Sequence, residues 1–358
     1  MHLLIDISAH GLGHLAQTAP VINALKTRFP GLQMTVRSAL PRLRLARYIA
    51  ADFDHVPEAR DFGFVMHNSV DINFAKSGMA YREFHANWHE RIAIEFQWLK
   101  AHYVDALLSN VAYLPLAGAA SASLPSAGLC SLNWADLFMH YFAAAPWAET
   151  IHDEILSAYR AAGCFLRVTP GLPMTNLDRR QNIGPIARLG RRDRQTLTRK
   201  LGLAENDRWI LLAMGGLDFR LPVENWPRTT GLNWLVPSTW QVRRDDVRTY
   251  DDTGLEFPDM LASVDAVITK PGYGSFVEAA CNGIPALYMQ RDDWPETPYL
   301  SAWMTTHARS RKITRGQLVE GQFIEELRQL WQAPAPIQPK LTGIDEALEI
   351  LKTVLGLR

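Results

Sequence analysis

The amino-acid sequence predicts an α/β protein of two domains, each a parallel sheet with helices on both faces. Three observations lead there. The chain has 358 residues, beyond the size at which a single hydrophobic core usually stops growing. Short β-branched apolar runs alternate with helix-length amphipathic segments, the pattern of a parallel sheet with crossover helices. The alternation then restarts after residues 169–192, a stretch holding Pro170, Gly171, Pro173, Gly184 and Pro185 among many charges. The boundary is placed in that stretch, so that residues 1–175 form a first domain, joined by a C-terminal helix at 344–358, and residues 176–343 form a second.

In chain order, residues 2–7 read as a buried strand, 10–13 as a glycine turn and 19–29 as a helix stopped by Pro30-Gly31. Residues 34–37 give a second strand. An irregular region begins at Asp61-Phe62-Gly63, followed by one long helix over 81–99, a strand at 106–109, another at 128–132 and a helix near 147–160. Past the boundary come a helix at 193–201, a strand at 209–214 ending in Gly215-Gly216, and the most informative stretch of the chain, DAVITKPGYGSFVEAACNGIPALY at 265–288. It reads as strand 266–269, glycine turn, helix 275–281 stopped by Asn282-Gly283, and a further strand after Pro285. Helical signals return at 320–331 and 344–355, separated by a proline-rich connector.

Composition excludes several classes. With 37 basic and 37 acidic side chains there is no net field to gather nucleic acid or an anionic membrane, and Arg191, Arg192 and Arg194 read as a solvated linker. The opening MHLLIDISAH carries Asp6 and no basic leader, so it reads as a core strand and not a signal peptide. No apolar run is long enough to span a bilayer. Cys130, Cys164 and Cys281, odd in number and set in apolar surroundings, fit reduced core residues. A cytoplasmic protein with small-molecule partners is the expectation.

Two glycine turns could carry chemistry. A helix emerging from Gly272-Tyr273-Gly274 presents unpaired backbone N–H groups and positive dipole to an anion, with Ser275 adding a hydroxyl and Lys270 lying just before the turn. Glu278, one turn in, would reach ribose hydroxyls. Gly215 and Gly216 make a second backbone-exposing turn at a strand's carboxyl end. In the first domain, HGLGHLAQTAP has the spacing G-x-G-x-x-A through Gly11, Gly13 and Ala16, flanked by His10 and His14. A dinucleotide reading needs an acid at the end of the second strand, where Arg37 stands; arginine there would suit a phosphorylated ribose, an NADP-type site. The rival reading makes His14 a general base, with Asp136 nominated to orient it. Arg291, Asp292, Asp293 and Glu296 crowd a loop after the last strand of the cradle unit, suited to sugar hydroxyls, with Trp294 available to stack on a sugar face. Trp226, Trp234 and Trp240 read as packing. His85 and His89, four apart on the long helix, read as helix surface, and no metal site is expected.

These residues resemble a GT-B glycosyltransferase-like family, and within it the N-terminal glycosyltransferase-like part of plant L-arabinokinases. The resemblance runs nearly end to end through HGLGHLAQTAPVI, RDFGFV, LLSNVAYLP, LNWADLF, LRVTPGLPM, LLAMGGLDF and the long motif from Asp265 to Leu300. More distantly, the Gly-His turn and glycine-to-glutamate helix resemble the peptidoglycan N-acetylglucosaminyltransferase family. The resemblance implies two Rossmann-like domains facing a central cleft, and inverting, metal-independent transfer from a nucleoside diphosphate sugar, foremost a UDP-sugar, with no further cofactor. It puts the diphosphate on Gly272, Gly274 and Ser275, the ribose on Glu278, the reacting centre at His14, and the donor sugar at Asp292 and Glu296. No phosphoryl-transfer role is expected, since there is no kinase-type glycine loop. Alternatives from other classes are a nucleotide-sugar-binding regulator without turnover, a nucleotide-sugar epimerase of the same architecture, and the NADP-dependent oxidoreductase.

Overall fold

The computed structural model describes residues 1–202, 204, 206–215 and 219–357. The chain divides into two compact units: the first comprises Met1–His67, Asp71–Ile186 and the C-terminal segment from Leu341, the second Asn68–Val70 and Ala187–Lys340. In the first unit β1 (His2–Ile7), β2 (Gln33–Arg37), β3 (Asp54–Val56), β4 (Ala106–Asn110), β5 (Ser126–Cys130), β6 (Cys164–Val168) and β7 (Arg180–Ile183) form one parallel sheet in the order β3-β2-β1-β4-β5-β6-β7. Every residue of β4 and β5 is buried, as expected where helices cover both faces. β7 carries this sheet past the expected boundary at residue 175, because it pairs in parallel with β6. The helix Gly343–Val354 packs on the helix Leu12–Arg28, so the chain's last helix belongs to the first unit.

The second unit has β8 (Arg208–Ala213), β9 (Leu232–Val236), β10 (Val247–Thr249), β11 (Ala266–Thr269), β12 (Ala286–Met289) and β13 (Ser310–Ile313), parallel in the order β10-β9-β8-β11-β12-β13. Trp226, Trp234 and Trp240 are buried in its core with Ile210, Leu212 and Phe323, in line with the packing reading. In each sheet the strand order reverses beside the first strand, β1 or β8. Within each unit, the loop leaving that strand at its carboxyl end therefore borders that sheet's own switch-point crevice, of the kind in which open α/β sheets bind ligands.

Local departures have physical causes. The first helix starts at Leu12, not at residue 19, with Pro20 inside it; the glycine turn is the helix's own N-terminus. The long helix expected over 81–99 is two helices, Phe74–Ala86 and Trp88–Ala101, broken at Asn87, whose φ of −121° and ψ of 42° leave the helical region. His85 and His89 thus sit on different helices. His85 is buried, with Nδ1 2.6 Å from Glu154 Oε2 and Nε2 2.9 Å from the Tyr113 hydroxyl, which corrects its assignment to the surface. No helix of the described residues is long and apolar enough to cross a membrane.

Candidate functional site

In the first unit the carboxyl ends of β1, β4 and β5 converge on His14. Gly11 caps the helix in extended backbone at φ 178°, and His14, in the first turn, is buried. Its Nδ1 donates to Asn110 Oδ1 at 2.8 Å, while Cys130 Sγ lies 3.7 Å away. Asn110 and Cys130 are the last residues of β4 and β5. An amide oxygen only accepts, so the proton sits on Nδ1 and Nε2 keeps its lone pair. Burial pushes the imidazole down to about 4, against a smaller pull from the Asn110 hydrogen bond, so the ring is neutral near pH 7. A Cβ on Gly11 or Gly13 would meet nothing within 4 Å; both glycines leave open space beside the first-turn amides.

Asp136 is not the partner of His14. Its backbone N–H and its Oδ2 are both bonded to the Asn133 side chain at 2.8 Å, closing the start of the helix Trp134–Phe142. The carboxylate the sequence did not single out is Asp61. It is half-buried and accepts from Trp134 Nε1 at 2.7 Å, and the Trp134 ring packs against both histidines, 5.1 Å from His10 and 5.8 Å from His14 between centroids. Burial pushes Asp61 up to about 6, opposed by its hydrogen bonds from Trp134 and Ser8. Gly63, at φ 59°, locks this segment down: a Cβ there would strike His10 Cδ2 at 2.7 Å and the Trp134 ring at 2.8 Å. The RDFGFV motif was visible, but which of its residues enters the site is decided by contacts with residues 10 and 134.

Arg37 does not face a ligand. Its guanidinium grips Asp6 through two 2.8 Å bonds, also donates to Glu95, and stacks 4.4 Å above Trp98, with no exposure. It has no donor turned outward for a ribose phosphate, so the NADP-type reading loses the residue it depended on.

The residues expected to form a phosphate cradle lie in the second unit. Gly272 is the N-cap of the helix Tyr273–Cys281, no side chain caps it, and the space a Cβ would fill is open, with only the Lys270 carbonyl at 3.9 Å. Gly274 and Ser275 lie in the first turn, where backbone N–H groups have no intrahelical partner. Lys270, leaving β11, donates to the Ser69 carbonyl at 2.5 Å. Burial, and then the charge of Arg291, push its ammonium down to about 8, with Glu296 opposing. Gly215, leaving β8, has φ 96°, and a Cβ on it would come within 2.9 Å of Lys270 Cε. Its partner in the expected turn, Gly216, lies outside the described residues. We expect Gly215→Ala to destabilise the second unit by about 1–2 kcal/mol from the left-handed backbone alone, and to displace Lys270; urea unfolding with a diphosphate titration measures both.

Glu278, six residues into the cradle helix, is buried with Oε1 3.5 Å from Arg188 Nε. Burial pushes its carboxyl up to about 7, with Arg188 opposing. Of the acidic-loop residues, Arg291 is buried over the Trp294 ring at 4.4 Å, so that Arg291 and not a sugar covers this face of Trp294. Glu296 is buried and accepts from Trp294 Nε1 at 3.3 Å, while Asp292 is exposed and accepts from Gln290. Among the described residues no three His, Cys, Asp or Glu side chains gather as a metal site.

No family model matches the chain. It is similar to L-arabinokinase of Arabidopsis thaliana, at 22% identity over 365 residues, covering 98% of this chain and 34% of that protein. The chain thus spans about a third of the length of the curated relative it matches. Among solved structures it is similar to the glycotransferase of kitacinnamycin, with a TM-score of 0.62 and 16% identity over 99% of this chain and 94% of that one. It is also similar to a UDP-N-acetylglucosamine 2-epimerase, with a TM-score of 0.58 and 13% identity over 100% and 97%. These likenesses establish the fold: two Rossmann-like parallel sheets flanked by helices, of the GT-B type.

Proposed function

We propose that this chain binds a nucleoside diphosphate sugar, a UDP-sugar foremost, and transfers the sugar to an acceptor hydroxyl. The observation that carries the reading is the cradle: an uncapped helix N-terminus at Gly272, the Gly215 turn and Lys270 beside it, and a buried carboxylate, Glu278, one turn farther in. The helix dipole and first-turn amides of residues 273–275 suit a diphosphate that gains charge as it leaves. The acceptor oxygen forms the new bond to the sugar carbon, the bond from that carbon to the diphosphate breaks with its electrons on the diphosphate, and the acceptor proton goes to His14 Nε2. A base as weak as His14 takes that proton in concert with departure of the diphosphate, not ahead of it. Attack opposite the leaving group inverts the sugar carbon. Arg291, Asp292 and Glu296 are assigned to the donor sugar, and His10, Gly11 and Gly13 to the acceptor and diphosphate loop.

The likeness to a UDP-N-acetylglucosamine 2-epimerase favours a second reading, epimerisation of the same class of ligand, which changes the nucleotide sugar with no acceptor present. Incubation with donor alone, followed by analysis of the recovered sugar, separates the two.

The binding test uses the pH dependence of Glu278. Ribose hydroxyls donate to the ionised carboxylate, so UDP affinity should fall about tenfold between pH 8 and pH 6, on either side of a value near 7. Glu278→Gln should bind weakly and without that slope. Stability of the unliganded protein should move the opposite way: the raised Glu278 contributes stability that is fully present below its ordinary carboxyl range and is lost as pH rises through about 7. Affinity that is flat over this range in the unsubstituted protein would remove Glu278 from the ribose.

A further inference from the structure

Beside the cradle, the helix Thr297–His307 and the strands β12 and β13 enclose a cavity of about 340 Å³. Its polar wall is made by Gln290, Arg291, Asp292, Thr297, Ser301 and Lys312. Thr297 and Ser301, four apart, share one helix face, and Lys312 is registered against Tyr288 on the neighbouring strand, so both side chains leave the sheet on the same side. Thr297 is 8% exposed, and its Oγ1 and the Oγ of Ser301 are buried without a hydrogen-bond partner among the described residues. Buried hydroxyls are nearly always paired; two orphans on one wall of one cavity mark a place where a ligand supplies the partners.

Charge narrows the ligand. Arg291 and Lys312 face one carboxylate, Asp292, which leaves the lining with one net positive charge. Outside the lining, Asp293 lies 3.6 Å from Arg291 Nε, but its side chain is half exposed. The cavity adjoins the cradle, because the cradle helix Tyr273–Cys281 packs on the helix Thr297–His307, and Tyr288 of the cavity lining meets Phe276 of the cradle helix ring to ring at 5.1 Å between centroids. A diphosphate held at the cradle therefore has this cavity as its neighbour. Binding pockets run from roughly 300 to 1,000 Å³, and this one, near the lower end, suits a single monosaccharide.

We propose that the cavity takes the sugar of the donor and that this sugar is acidic, a uronic acid, its carboxylate against Lys312 and its ring hydroxyls on Thr297, Ser301 and Asp292. The proposal rests on the nucleotide-sugar reading above. Lys312, Thr297 and Ser301 then become specificity-determining residues.

Titration calorimetry with pairs matched on one base tests it: UDP-glucuronate against UDP-glucose, and GDP-mannuronate against GDP-mannose, with UDP and GDP as references. On whichever base binds, the uronate should bind at least tenfold tighter than its neutral counterpart. Lys312→Ala should bring that ratio below threefold, and Thr297→Val, nearly isosteric, should weaken both sugars about fivefold relative to the bare diphosphate. Equal affinities within a pair, or a preference for the neutral sugar, overturn the acidic-sugar proposal and leave the nucleotide-sugar reading standing. A uronate preference that survives Lys312→Ala overturns the cavity as its seat. If all four sugars and both diphosphates fail to bind, the nucleotide-sugar reading falls and this proposal falls with it.

Discussion

His14→Ala should lower turnover of the donor by about 10²–10⁴-fold, the usual worth of a positioned general base, while the affinity for UDP stays within about twofold. The expectation comes from the tautomer. With Nδ1 committed to Asn110, Nε2 is the only lone pair on the ring, and the ring is neutral well below pH 7. If His14 is the base, Asn110 positions it, and substitution of Asn110 separates a base from a merely packed histidine. Asn110→Asp puts a carboxylate where the amide oxygen sits, favours the imidazolium, and raises His14 from its depressed value near 4. The acid limb of the pH–rate profile should then move to higher pH. Asp136→Asn, by contrast, touches only the Asn133 cap and should leave the profile in place. If Asn110→Asp changes the rate without moving the limb, His14 is not the group that takes the proton. Unchanged turnover in His14→Ala removes the assignment altogether.

The sequence carried the strands better than the site. β1 and β11 stand where they were expected because each is a short apolar run with a hard stop behind it. The cradle helix ends at Asn282 and Gly283, and Gly283 takes φ 71°, a conformation that suits glycine. The helix expected from residue 19 begins at Leu12 and runs through Pro20, so the glycine turn at residues 10–13 passes directly into it. His14 could be nominated from its place beside a glycine after a buried strand. Its partner could not, since Asn110 is 96 residues away and reaches it only because β4 pairs with β1, Ile7 lying opposite Asn110. Nor did any local pattern distinguish Asp61 from Glu58. One signal was present and went unused. Asp6 interrupts an apolar strand and Arg37 ends the next, and two opposite charges at the same depth of neighbouring buried strands have little choice but to meet.

That pair underlies the largest expected effect on stability. Arg37→Met should destabilise the first unit by about 3–5 kcal/mol at pH 7, the usual cost of breaking a buried ion pair by removing one partner. Asp6 and Glu95, 2% and 1% exposed, would be left as two facing carboxylates with Arg60 as their remaining cation, its Nε 2.9 Å from Glu95. Burial already pushes Glu95 upward in the intact protein, with Arg37 as the main opposing influence. Without the guanidinium that rise becomes larger, so the native variant binds a proton that its unfolded chain releases. The deficit should therefore shrink as pH falls from 7 toward 5, a direction opposite to ordinary acid destabilisation. Combining Arg37→Met with Asp6→Asn and Glu95→Gln removes the stranded charges and should recover about 2 kcal/mol or more, since a buried ionic cluster replaced as a whole often costs little. Urea unfolding of the first unit's transition at pH 7 and pH 5 measures all three quantities. A single-variant loss under about 1 kcal/mol would mean that these carboxylates find solvent when Arg37 is gone, and the cluster would then be a consequence of the packing between β1, β2 and the helix Trp88–Ala101, not a support for it.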